Sequence, residues 1–164
     1  MSEMTINEFA KKHNACKDSV KWALGNCKSM QEAWDTIRAE DVVWIATRRG
    51  VLTDKELRLF ACWCVRQVWH LLEDPRSRRA VEVAERYANG EATEEELVAA
   101  RYAARYADRA AAWAAAWDSA CDAAWAAARA TAWDEAVDEA WDEASAAQAE
   151  YLRENCKPNF EEES

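Results

Sequence analysis

Apolar positions recur along this chain at helical rather than strand spacing. Between Leu57 and Leu72 they fall at Leu57, Phe60, Ala61, Cys64, Val68, Leu71 and Leu72, the three- and four-residue steps that make one wide stripe on a helix. Trp63 and Trp69 broaden the stripe, so this segment is expected at the centre of an N-terminal bundle. Trp22, Trp34 and Trp44 each sit on a shorter segment before it, and all five tryptophans are expected in the core, where large aromatics supply much of the burial energy. Helix starts are marked by Thr5-x-x-Glu8, Ser29-x-x-Glu32, Thr53-x-x-Glu56 and Thr93-x-x-Glu96, the reciprocal capping pattern. Asp74-Pro75 marks another, with proline at the first helical position. Gly25, Gly50 and Gly90 fall where helices should stop. This punctuation predicts helices near residues 5–13, 17–26, 30–38, 41–49, 54–73 and 75–88, then one long helical stretch from 94 to about 154.

Within that stretch the pattern changes. Every fourth position reads Arg101, Arg105, Arg109, Trp113, Trp117, Cys121, Trp125, Arg129, Trp133, Val137, Trp141 and Ser145, with alanine filling most of the gaps. A step of four overshoots a helical turn by about 40°, so across the repeat the stripe drifts by about 440°. A straight monomeric helix would show tryptophan on every side. Either the helix breaks into a hairpin, or it stays long and partners cover the drifting stripe. Neither glycine nor proline lies between Glu91 and Lys157, so nothing demands a break, and a long helix buried in a homo-oligomer is expected. Its interface would be built from Trp113, Trp117, Cys121, Trp125, Trp133 and Trp141. An antiparallel pair centred on Cys121 would set Trp117 opposite Trp125 and Arg105 level with Val137 and Asp138.

Composition supports an all-α fold: an N-terminal helical bundle followed by a long Ala/Trp-rich arm. Alanine fills 36 of the 164 positions, 25 of them between Ala99 and Ala149, and alanine has the best helix propensity. Glycine and proline together make only 5 positions, too few for a turn-rich β-sandwich or barrel. Charge divides the chain further. Residues 1–90 carry 15 basic and 13 acidic side chains, residues 91–164 carry 6 and 18, and the whole chain has a net charge of -10. The expected organisation is a bundle over 1–90, an arm over 91–155 and an acidic tail over 156–164, with Glu161–Glu163 disordered. An acidic field repels long nucleic acid and attracts basic protein.

The start Met1–Lys12 is polar and no run of 18 apolar residues occurs, so a cytoplasmic protein away from the membrane is expected. The six cysteines are then read as reduced thiols. Cys62-x-Cys64 lacks the two-residue gap of a zinc knuckle. Cys16 and Cys27, 11 apart, with His13 and His70 as the only imidazoles, offer a zinc site as an alternative. Core or incidental thiols are the better reading, and no metal and no cofactor are expected. Two histidines leave little acid–base capacity near neutral pH, and no phosphate loop, nucleophile elbow or His-Glu-x-x-His motif is present. The protein is expected to be a binder rather than an enzyme.

Arg101, Arg105 and Arg109 form a row at helical spacing that runs into Trp113, with Tyr102 and Tyr106 alongside. Guanidinium groups grip phosphate and aromatic faces stack on bases, the chemistry of a small-nucleotide site. Pairing of these arginines with acidic residues of a neighbouring helix is the plainer alternative. Arg66 and His70, four residues apart, would share a helix face and make a second candidate ligand pair.

The segment Glu56–Leu72, with Leu57-Arg58-Leu59-Phe60-Ala61-Cys62 and Arg66-Gln67-Val68-Trp69-His70-Leu71-Leu72, continues through Asp74-Pro75-Arg76-Ser77-Arg78-Arg79 to Glu85-Arg86-Tyr87 and Gly90-Glu91-Ala92-Thr93. This run resembles a set of bacterial and phage helical immunity proteins, similar to the Imm5-like family of toxin-system immunity proteins, over roughly residues 18–150. The resemblance implies a non-enzymatic binder in conflict between bacteria, phages and toxins, as an immunity or anti-defence protein whose partner is a toxin or defence component. The arginine row adds an alternative, a phage-type sponge for a nucleotide second messenger. A structural helical oligomer is the third reading.

Overall fold

In the computed structural model residues 3–72, 74–107 and 135–161 are described, with only the helical backbone for 105–107 and 135–141. Local chemistry sets the helices. Thr5 caps α1 (Ile6–His13): its hydroxyl accepts from the Glu8 N–H, and the Glu8 carboxylate accepts from the Thr5 N–H at 2.7 Å. Asn14 ends α1 in the left-handed region at φ 53, which lets the Ala15 N–H reach the Ala10 carbonyl at 3.0 Å. Cys16 precedes α2 (Lys17–Asn26), and Ser29 caps α3 (Met30–Thr36). At α3 the reciprocal half of the box shifts by one residue, since Glu32 accepts from the Lys28 N–H at 2.7 Å. Arg38 precedes α4 (Ala39–Ala46).

Among the described residues four further α-helices follow: α5 (Asp54–Gln67), α6 (Pro75–Ala88), α7 (Glu94–Ala107) and α8 (Glu135–Asn155). Asp74 caps α6 with Pro75 at its first turn, and Thr93 and Glu96 form a full reciprocal box at α7. The fold is all-α. Among the described residues there is no strand, only an isolated bridge between Glu3 and Glu161, and no described helix is long and apolar enough to cross a membrane.

The chain packs as two compact units, residues 1–53 with 145–164, and residues 54–144. These groupings differ from the 1–90, 91–155 and 156–164 segments drawn from charge. In the first unit Phe9, Trp34 and Phe160 form an edge-on aromatic cluster, with ring centroids 5.8 Å apart for Phe9–Phe160 and 6.3 Å for Trp34–Phe160. Leu152 and Val42 of the same unit are fully buried. The Met4 N–H donates to the Phe160 carbonyl and the Asn159 N–H to the Val51 carbonyl, each at 2.7 Å. Cys156 and Phe160, placed by sequence in an acidic tail, are therefore core residues.

The second unit is built on α5, α6 and α7, whose core joins Cys62, Ala80, Val81, Val83, Ala84, Leu97, Ala100 and Ala104. Burial pushes the Cys62 thiol up to about 12, and its Sγ lies 3.9 Å from the Val81 carbonyl. The Leu57–Leu72 stripe, expected at the centre of the N-terminal bundle, packs with α6 and α7 within the second unit, because a stripe's width does not say which helix it faces. The expected helix 54–73 also ends early. After Gln67 the chain tightens into a 3-10 turn at Trp69–Leu71, and the Arg78 Nε holds the Leu72 carbonyl at 2.6 Å. Of the five tryptophans expected in the core, Trp34 is 1% exposed while Trp22 is 38% exposed. Gly25 lies inside α2 and Gly90 takes positive φ just past the end of α6, whereas α4 already stops at Ala46 and Gly50 takes its positive φ in the turn beyond. The middle of the expected 94–154 helix lies outside the described residues.

Candidate ligand pocket

Helices α1 to α4 of the first unit line a half-open cavity of about 270 Å³. The space exists because Ala10, Ala15, Ala23 and Ala33 stand where larger side chains would fill it. Phe9, Met30, Trp44 and Ile45 supply most of the remaining apolar wall. Phe9 and Trp44 meet edge to face, with centroids 6.3 Å apart at 81°, so one side of the cavity is rigid and aromatic.

Its polar edge comes from Ser19 on α2 and Glu40 and Asp41 on α4. The Ser19 hydroxyl donates to Asp41 Oδ1 at 2.9 Å, and Arg38 Nε donates to Asp41 Oδ2 at 3.0 Å. Arg38 Nη1 pairs with Glu40 Oε1 at 3.0 Å, and Arg38 Nη2 reaches the Ser19 hydroxyl at 3.4 Å. The hydrogen bond to Asp41 is the main cause of a raised pKa at Arg38, so the guanidinium stays charged. Two carboxylates share one guanidinium, and the edge keeps an excess negative charge.

Cys16 lines the cavity and is exposed. Its thiol lies outside strict cap geometry, yet the Asp18 and Ser19 N–H groups at the start of α2 hold it below the usual thiol range. On the far side of Phe9, His13 tilts against the ring with centroids 4.5 Å apart. Burial, then the positive charges of Lys12 and Arg48, lower the His13 pKa.

The residues chosen from sequence lie elsewhere. Arg101 and Tyr102 are exposed on α7, Tyr102 by 57%. Arg105 and Tyr106 continue that helical backbone one turn later. Arg109, Trp113, Trp117, Cys121, Trp125 and Trp133 lie outside the described residues, and Trp141 is described only as α8 backbone. Arg66 grips Glu85 of α6 through Nε–Oε1 at 2.9 Å and Nη2–Oε2 at 2.6 Å, and its guanidinium stacks on Trp69 at 4.1 Å. Because α5 ends at Gln67, the helical spacing that would set His70 on the Arg66 face does not continue to it. Among the described residues no group of three His, Cys, Asp or Glu side chains is placed to hold a metal.

Sequence reasoning missed the pocket. Its one local signal is Arg38-x-x-Asp41 across the start of α4; the rest is empty volume between helices, which periodicity does not encode. Comparison of the chain with family models, with curated proteins and with solved structures yields no match.

Proposed function

We propose that this chain is a non-enzymatic binding protein that sequesters its ligand in conflict between bacteria, phages and toxins, acting in the cytoplasm as an immunity or anti-defence protein. The observation that carries the binding role is the alanine-made cavity with its acidic edge in the first unit. It offers a concave, half-open apolar surface with few, fixed polar groups, the composition of a specificity pocket. The setting rests on the immunity-family resemblance of residues 18–150. Assembly into a homo-oligomer rests on the tryptophan repeat, whose exposure on a soluble monomer would be an aggregation hazard.

Native mass spectrometry of the protein purified from the cells that produce it tests this reading. The expected result is a mass above 18.6 kDa by an integer factor, with a retained small molecule or protein partner. A bare monomer, with nothing retained and nothing co-purifying at low salt, would overturn it.

The nucleotide-sponge alternative is favoured by one feature of α7: its helical backbone sets Arg101 one turn from Arg105 and Tyr102 one turn from Tyr106. Cyclic oligonucleotides or ADP-ribose derivatives should then raise the melting temperature, by about 2.7 kcal/mol of stabilisation at a hundredfold excess over Kd. Arg105→Glu should abolish that gain. Absence of any shift removes the sponge.

A further inference from the structure

We propose that the first-unit cavity binds a compact arylalkylamine, its ring in the apolar chamber and its ammonium at the Ser19–Glu40–Asp41 edge; this rests on the reading of the cavity as a ligand site. Size is the first argument. An apolar cavity of about 150 Å³ accepts benzene, so 270 Å³ holds about eleven heavy atoms by the same scaling, a fused bicycle with a two-carbon arm whose head group sits at the edge. Ring shape is the second. Phe9 and Trp44 present aromatic surfaces at 81° to each other, and Met30 supplies a polarizable thioether of the kind that favours aromatic rings. A flat ring satisfies these walls better than a branched aliphatic body.

Charge chooses the head group. Apart from the Cys16 thiol, the ionisable side chains lining the cavity are Glu40 and Asp41. Arg38 touches both carboxylates, yet one guanidinium leaves a unit of negative charge over. Each carboxylate has about four lone-pair sites; those of Asp41 accept from Ser19 and Arg38, which leaves capacity for an incoming donor. The Asp41 side chain is only 15% exposed, where a charge-assisted hydrogen bond is screened less than at the surface. An ammonium brings three donors and no acceptor. A carboxylate or phosphate head would instead meet like charge.

Calorimetric titration of the full chain with tryptamine, tryptophol and indole-3-acetate holds the ring fixed and varies the head from cation to neutral to anion. Tryptamine should bind tightest, with tryptophol about tenfold weaker and indole-3-acetate weaker still. Asp41→Asn should cost tryptamine about tenfold and leave tryptophol unchanged. Ala15→Phe, at a half-buried lining position, should abolish binding of all three while its circular dichroism melt reports that the fold persists. Equal affinity for the three ligands, or a preference for the acetate, overturns the amine assignment and keeps the cavity as a ligand site. Binding that survives Ala15→Phe places the ligand elsewhere and overturns the proposal. No binding by any of the three overturns both the proposal and the cavity's role as a ligand site, while the retained mass in native spectrometry judges the sequestering role separately.

Discussion

Arg153 closes the carboxyl end of α3 around Trp34: its Nε donates to the Trp34 carbonyl at 3.0 Å, and its Nη2 donates to the Ile37 carbonyl at 2.6 Å. The last carbonyls of a helix have no intrahelical partner and carry the negative end of its dipole. A planar guanidinium answers both needs at once. The contact joins positions more than a hundred residues apart in sequence, so the C-terminal part of α8 completes the wall that holds Trp34 in the first unit's core.

Removing that guanidinium should therefore act on the first unit as a whole. Arg153→Met keeps the apolar stem and leaves two carbonyls unanswered, and hydrogen bonds from charged groups contribute about 1.5–3 kcal/mol. A loss of about 2 kcal/mol in urea unfolding is expected, with Arg153→Lys recovering part of it. A loss below about 0.5 kcal/mol, the range of ordinary surface changes, would show that the clamp contributes nothing.

Two tryptophans on neighbouring helices should respond in opposite ways. Trp34 is enclosed by Phe160 and the core, so Trp34→Ala should cost about 3–5 kcal/mol. Trp22 faces outward from α2, and Trp22→Ala should stay within about 0.5 kcal/mol. Thermal denaturation of the pair, followed by tryptophan fluorescence and circular dichroism, checks both. Comparable losses would mean that the exposed face of Trp22 is covered in solution.

How far the fold can be read from sequence follows from where each signal is stored. Thr5, Ser29, Asp74 and Thr93 act within four residues of themselves, and their helices start where sequence places them. The stop after Gln67 depends on the Arg78 grip on Leu72 and on Trp69 packing against the α6–α7 core, which the Leu57–Leu72 stripe alone does not contain. Phe160 reads as part of an acidic tail because its neighbours are glutamates, yet its ring completes the Phe9–Trp34 cluster. The pocket is less legible still, since its alanines read as helix formers and only their convergence makes them a boundary.

Two glycines separate conformational need from habit. Gly25 has helical surroundings, and a Cβ there would meet nothing within 4 Å. Gly25→Ala should stabilise by about 0.5 kcal/mol through the entropy of the unfolded chain. Gly90 sits at φ +77, where the following Glu91 N–H reaches back to the Arg86 carbonyl at 2.8 Å. Gly90→Ala should cost about 1 kcal/mol because a Cβ strains that conformation. Melting temperatures moving in the same direction would contradict the assignment of Gly90 as an obligatory stop.

The pH dependence of stability near neutrality should trace to His13. Burial beside Phe9 is the largest cause of its lowered pKa, and Lys12 and Arg48 add positive charge around it. The folded chain therefore takes up this proton less readily than the unfolded chain, whose imidazole titrates near 6.5. Between the two values the unfolded state binds more protons, so stability rises with pH. The contribution is fully present above about 6.5 and is lost as pH falls through the lowered folded value. Glu8, Asp74 and Glu95, whose pKa values are also lowered, lie below the ordinary carboxylate range and act in a more acidic window. Urea midpoints measured from pH 7.5 down to 5.5 should thus fall for the parent chain and fall much less for His13→Gln. An unchanged slope in the variant would assign the acid sensitivity to another group and remove His13 as its source.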